Sequence, residues 1–170
     1  MQTNPFAWSF RAQYLTGFLL CTALLVYALY VQYGMLMLPC PLCILQRLAF
    51  VALGLAFLVG GLHAPRGRAG RAAYGLLALV PAAVGAGIAG RHVWLQSLPP
   101  GDVPLCTNMG LDFMLESMGP LKAISSVLSG SGECAKIDWT FLGLSMPAWT
   151  LAWFIGLGLG ALWAATRRRD

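Results

Sequence analysis

Long uncharged runs dominate the pattern of the chain. From Ala12 to Gln46 there is no Lys, Arg, Asp or Glu, and three further apolar runs follow. Crossing a bilayer core as a helix takes about 20 predominantly apolar residues. Four spans are therefore predicted, at roughly Gln13–Tyr33, Ile44–Leu62, Ala72–Trp94 and Pro147–Thr166. The second is interrupted only by Arg47, and the third carries Arg91 and His92 near its end. These runs are unbroken, whereas an outer-membrane barrel would show short alternating strands. A cleaved signal peptide is the other reading of the first run. That run is too long for a typical apolar signal core and no small-x-small site follows it, so a permanent helix is expected. Pro81 falls mid-span and predicts a kink, whose freed carbonyl neighbouring helices can re-satisfy. Gly156 with Gly160, and Ala82 with Ala86 and Gly90, predict faces suited to close helix packing.

Two segments separate the spans on one side, residues 34–43 and the longer 95–146, which contains Pro99, Pro100, Pro104 and Pro120. Within the longer one, Leu111, Met114, Leu115, Met118, Leu121 and Leu128 recur near helical spacing, with Asp112, Glu116 and Lys122 elsewhere on the wheel. That pattern predicts a short helix lying on the membrane surface. The fold expected is an all-α membrane protein: a four-transmembrane-helix bundle with a long periplasmic loop carrying a short interfacial helix. Residues 1–170 would form a single integral membrane domain.

Composition removes the alternatives. The 170 residues are 58% hydrophobic and 10% charged, against roughly 25% charged in a soluble domain. A soluble enzyme, a disordered chain and a DNA-binding domain are excluded. The charges also fix an orientation. Arg11, Arg66, Arg68, Arg71, Arg167, Arg168 and Arg169 share one side, while the other side has Arg47, Arg91, Lys122 and Lys136 with Asp102, Asp112, Glu116, Glu133 and Asp138. The excess of cations puts both termini in the cytoplasm. The net charge of +5 is thus a topology signal, and no nucleic-acid partner is expected.

Four of the five cysteines then lie outside. Cys40 and Cys43 form Cys-Pro-Leu-Cys in the short segment, Cys106 and Cys134 lie in the long one, and Cys21 is buried mid-span as a small hydrophobe. Placement on the oxidising side of a bacterial inner membrane makes disulfides the first expectation. Four cysteines allow three pairings. Cys40 with Cys43 and Cys106 with Cys134 is favoured because the first two are three residues apart. A staple role suits Cys106–Cys134, which would close a long loop. It suits Cys40–Cys43 poorly, since so small a ring removes little chain entropy. Cys-x-x-Cys is instead the usual form of a redox-active dithiol. A tetrahedral zinc site is the alternative, although Cys106 and Cys134 form no second close pair; no metal is expected.

Arg47 follows Cys43 by four residues, so on a helix beginning there the two share a face. A guanidinium beside a sulfur favours the reactive thiolate. A cation in a span costs about 2.5–3.5 kcal/mol at the centre and less near an end. An Arg that only snorkels to the interface is the alternative, and the depth of Arg47 and its spacing from Cys43 favour a functional role. Arg91 and His92 close the third span at the same membrane face, where they either anchor the interface or line a site with Arg47. A dithiol beside such cations suggests electron transfer to a lipid-soluble acceptor, and a quinone is the chemical candidate.

Taken together, the chain resembles the DsbB family of disulfide-bond formation proteins. The resemblance spans nearly the whole chain: four runs, Cys-Pro-Leu-Cys-Ile-Leu-Gln-Arg at 40–47, His-Val-Trp-Leu-Gln at 92–96, Cys106 and Cys134, and Phe-Leu-Gly-Leu-Ser-Met-Pro at 141–147. It departs at Gln46 and Arg91, where the resemblance leads one to expect acids. What it implies is a relay in the bacterial inner membrane. Cys106–Cys134 would be the disulfide offered to a periplasmic thioredoxin-fold dithiol oxidase (DsbA-like). Cys134, once freed, would attack Cys40 and release Cys43 as the thiolate that reduces a quinone (ubiquinone or menaquinone) from the membrane pool. Arg47 and His92 would bind that quinone, and the surface helix would hold the loop at the lipid bilayer while Cys134 travels.

Two rivals stand beside this reading. A vitamin-K-epoxide-reductase-like enzyme would also couple Cys-x-x-Cys to quinone, but its active pair is expected after the loop pair, and here it comes first. A non-catalytic membrane protein would use its cysteines as staples or zinc ligands.

Overall fold

The computed structural model describes residues 9–99, 119, 122, 132–137 and 139–167. They form four long helices, α1 (Phe10–Gly34), α2 (Pro41–His63), α3 (Arg68–Gln96) and α5 (Met146–Thr166). A single turn, α4 (Gly132–Ala135), and two short strands, β1 (Thr140–Phe141) and β2 (Leu144–Ser145), precede α5. Each long helix encloses one apolar run of the sequence and is long and apolar enough to cross a membrane. The interfacial helix expected within 111–128 falls outside the described residues, apart from Gly119 and Lys122.

Local chemistry sets the helix ends. The Ser9 side chain accepts from the Ala12 N–H at 3.2 Å and caps α1. Pro41 opens α2, and Pro147 lies in the first turn of α5, where a missing N–H costs nothing because no intrahelical acceptor exists for it. Ala64 stops α2 in the left-handed conformation, its N–H donating to the Gly60 carbonyl at 2.9 Å. Pro81 does not end α3, which runs helical on both sides of it.

The helices pack as α1 on α2, α2 on α3 and α3 on α5, the last pair most extensively; α1 and α5 touch only sparsely. Tyr14, Leu53, Phe57 and Phe154 fill the core. Phe50 of α2 stacks on Phe154 of α5 with ring centroids 3.9 Å apart. Gly85 of α3 makes room for that stack, because a Cβ there would overlap the Phe154 ring. Cys21 is buried in this core beside Gly54, as expected of a small hydrophobe.

The small-residue faces need a correction. Ala82 is buried against α5 and Ala86 packs on the core. Gly90, Gly156 and Gly160, however, face open space. The close approach from α5 is made by Gly158, whose Cβ position would meet the Ala82 Cβ at 3.2 Å. α5 is apolar on all sides, so the spacing of its glycines does not reveal which face turns inward.

Strands β1 and β2 pair antiparallel as a two-residue hairpin, Thr140 opposite Ser145 and Phe141 opposite Leu144. Leu142 and Gly143 at its tip both have positive φ, 52° and 78°, as a tight hairpin turn demands. The Ser145 hydroxyl donates to Gln96 Oε1 at 2.6 Å, and the Trp149 indole donates to the Phe141 carbonyl at 3.0 Å. These bonds fix the hairpin over the ends of α3 and α5.

Candidate active site

Cys40 is the N-cap of α2 and Cys43 lies in its first turn, so the helix start folds the two sulfurs toward one another. Both are free thiols, half-buried, with Sγ atoms 3.3 Å apart. His92 comes from the last turns of α3 and is buried, its Nε2 3.8 Å from Cys40 Sγ. The two sulfurs and a ring nitrogen lie within 4.8 Å of one another, close enough to hold a soft metal as well as to exchange electrons.

Cys134 reaches the same place from α4. It is 1% exposed and packs with Leu42 and Leu95 in a small apolar cluster on which Cys40 rests. The His92 ring hydrogen-bonds the main chain at Cys134. Three of the four candidate cysteines thus meet in one spot, though they are far apart in sequence. Cys106 lies outside the described residues.

Arg47, one turn beyond Cys43, is half-buried and bound to α1. Its guanidinium donates to Gln32 Oε1 and, at 3.1 Å, to the Ala28 carbonyl. Arg91 does not join it. The Arg91 guanidinium lies 4.1 Å from the centroid of the Trp94 ring, as an interface anchor. Neighbouring helical residues point about 100° apart, so only His92 of that pair faces the cysteines.

Sequence reasoning missed three polar residues of the site. Gln32 holds Arg47. Gln46, 3% exposed, places its Nε2 3.1 Å from His92 Nδ1. Thr150 of α5 donates to Gln46 Oε1 at 2.7 Å. The signal that could have found them is polarity itself, since an amide or hydroxyl inside an apolar span is costly without a partner.

Six of these residues, Cys40, Cys43, Gln46, Arg47, His92 and Thr150, line a cavity of about 720 Å³ between α1 and α5. Cys40, Cys43, Gln46, Arg47 and His92 supply its polar side, and Leu24, Ala28, Phe50 and Trp153 are among its apolar lining. Trp139, Phe141 and Trp149 gather at the rim with rings about 6 Å apart, the aromatic belt typical of a membrane surface. An apolar chamber with a few convergent polar groups is what a lipid-soluble ligand with a polar head requires. The lining fits the chemistry of a quinone: the Arg47 guanidinium is a donor of the kind a ring carbonyl needs, and the apolar wall suits an isoprenoid tail.

The family profile described as Disulfide bond formation protein DsbB matches residues 10–164. The chain belongs to the DsbB family. It is 55% identical to a Disulfide bond formation protein B of Xanthomonas campestris over 98% of this chain and 96% of that relative. It is 51% identical to one of Xylella fastidiosa over 92% and 90% respectively. As a DsbB protein it is a membrane oxidoreductase of disulfide-bond formation, a protein-disulfide:quinone oxidoreductase. The vitamin-K-epoxide-reductase-like and non-catalytic readings give way to that assignment.

Proposed function

We propose that Cys106, Cys134, Cys40 and Cys43 relay electrons, in that order, from a periplasmic DsbA-like dithiol to a quinone held by Arg47 in the cavity that His92 also lines. The observation that carries this reading is that Cys134 is buried in the cluster against which Cys40 packs, while Cys40 and Cys43 line an apolar cavity that also presents Arg47. The partner's thiolate attacks Cys106, and the Cys106–Cys134 bond breaks with its electron pair on Cys134. In the oxidised state, with Cys40 and Cys43 joined as a disulfide, that thiolate attacks Cys40 Sγ, forming Cys134–Cys40, breaking Cys40–Cys43 and expelling Cys43 as a thiolate. Each exchange proceeds through a mixed disulfide. Burial of Cys134 against Cys40 makes the second attack a local event. Arg47 and the first turn of α2, whose N–H groups lack intrahelical acceptors, both favour an anionic sulfur at Cys43. A quinone bound in the cavity, ubiquinone or menaquinone, supplies the acceptor for two electrons and two protons. The charge asymmetry of the loops supports a bacterial inner-membrane location with both termini cytoplasmic and the cysteines periplasmic.

The test is quinone reduction by the purified protein in detergent, driven by a reduced thioredoxin-fold partner. Cys43→Ser is expected to abolish turnover with the fold intact, and Arg47→Ala to slow it by about tenfold or more, the loss of one charge-assisted hydrogen bond. Full activity in Cys43→Ser would overturn the relay. A folded wild type that is inactive with every quinone and binds zinc would make Cys40, Cys43 and His92 a metal site.

A further inference from the structure

Gln46 has no part in the relay described above, yet it is almost completely buried and hydrogen-bonded at both ends of its amide. Its surroundings determine what it does. The Thr150 hydroxyl has one proton and two acceptors in reach, Gln46 Oε1 at 2.7 Å and the Pro147 carbonyl at 2.9 Å. When that proton goes to Gln46 Oε1, the amide turns its N–H₂ to His92 Nδ1 at 3.1 Å. Nδ1 must then accept, so the proton of the neutral ring sits on Nε2, on the side of Cys40 Sγ at 3.8 Å and of the main chain at Cys134, which the ring also hydrogen-bonds.

We propose that Gln46, oriented by Thr150, is a positioning residue for the disulfide exchange: it fixes the tautomer of His92 so that Nε2–H points at Cys40. The proposal rests on the relay reading and concerns its resetting step, in which the Cys106 thiolate left by the departing partner attacks Cys134 of the Cys134–Cys40 disulfide and Cys40 is the leaving group. When a thiolate attacks the sulfur bonded to Cys40, a new S–S bond forms and the old one breaks. The electron pair of the old bond stays on Cys40 Sγ, and Nε2–H meets that charge. The opposite tautomer would present a bare lone pair to the leaving thiolate.

The same chain accommodates a second proton on His92. Reversing the amide brings Oε1 to Nδ1–H and the N–H₂ to Thr150. The hydroxyl then accepts from the amide and turns its own proton to the Pro147 carbonyl. The contacts among His92, Gln46 and Thr150 are kept in both states. A carboxylate at position 46 could not do this, because it can only accept and so holds His92 with a proton on Nδ1.

The direct measurement is ¹⁵N NMR of the full-length protein labelled at histidine, in detergent at neutral pH. The chain has two histidines, His63 and His92, so a His63→Asn variant assigns the signals. Wild type is expected to show His92 with unprotonated Nδ1 and protonated Nε2. Gln46→Leu and Thr150→Val should give mixed tautomers, Thr150→Ser should restore the wild-type spectrum, and Gln46→Glu should protonate Nδ1. In turnover with a thioredoxin-fold partner and a soluble quinone, Gln46→Leu should lower kcat by about tenfold, the worth of one hydrogen bond in rate. An Nδ1–H tautomer in wild type, or an unchanged Nε2–H tautomer in well-folded Gln46→Leu and Thr150→Val, would overturn the proposal. Failure of the relay itself reads out separately, as activity retained in Cys40→Ser.

Discussion

At the scale of single residues, Arg47 poses the main energetic question, because an unpaired cation in an apolar span is costly. Both of its hydrogen-bond acceptors come from α1, the Gln32 amide and the Ala28 carbonyl. They satisfy part of the guanidinium and leave the rest aimed into the cavity. Gln32→Leu removes one acceptor from a half-buried charge, a loss of about 1–3 kcal/mol. The expected outcome is a lower unfolding midpoint in detergent and a severalfold higher quinone KM, with Gln32→Glu keeping both near wild type. Unchanged KM and stability in Gln32→Leu would remove Gln32 from the site. Cys40, Cys43, Arg47 and His92 were all legible as candidates, because cysteines and cations are conspicuous against an apolar background. Gln32, Gln46 and Thr150 were not, because their meaning lies in contacts across the bundle: Gln46 and Thr150 are 104 positions apart. Arg91 shows the converse limit, a cation as conspicuous as Arg47 that turns away to a tryptophan ring.

At the scale of elements, length and hydropathy identify the four helices, while their inward faces depend on shape. Gly85 illustrates this. Phe154 is held between the backbone of α3 at Gly85 and the stacked Phe50 ring, so it has nowhere to retreat. Gly85→Ala is expected to cost about 1–3 kcal/mol through overpacking, seen as a fall in the thermal midpoint followed by tryptophan fluorescence. Gly156→Ala, in open space on α5, should leave the midpoint unchanged or slightly raised. Equal effects at the two positions would refute this account of packing. The glycine spacing of α5 misdirected the sequence reading because a helix without a polar face carries no record of its orientation. The reverse holds at the entrance to α5, where Leu142 and Gly143 make the turn and the motif at 141–147 becomes a hairpin.

At the scale of the whole molecule, the sparse contact between α1 and α5 is the consequential feature. The other neighbouring pairs pack far more extensively, so the cavity lies where the bundle is least closed, between two helices each long and apolar enough to cross a membrane. On the proposed relay, a membrane-soluble ligand reaches Cys43 from the bilayer while the thiol partner works from the aqueous side. The two half-reactions are therefore separable by mutation. Ala28 lines the cavity from α1, and an indole in its place would occupy space the ligand needs. Ala28→Trp is expected to raise the quinone KM by about tenfold or more, the equivalent of ~1.4 kcal/mol of lost binding. Single-turnover oxidation of the thioredoxin-fold partner, which needs only the disulfides, should proceed at the wild-type rate. Val26→Trp, on the same helix at an exposed position outside the cavity lining, is the matched control and should alter neither. If folded Ala28→Trp reduced quinone with unchanged KM, the cavity between α1 and α5 would not be the acceptor's seat. If both half-reactions slowed together in Ala28→Trp alone, the aqueous and lipid routes would share a step at Cys40 that the separation of the two faces does not provide.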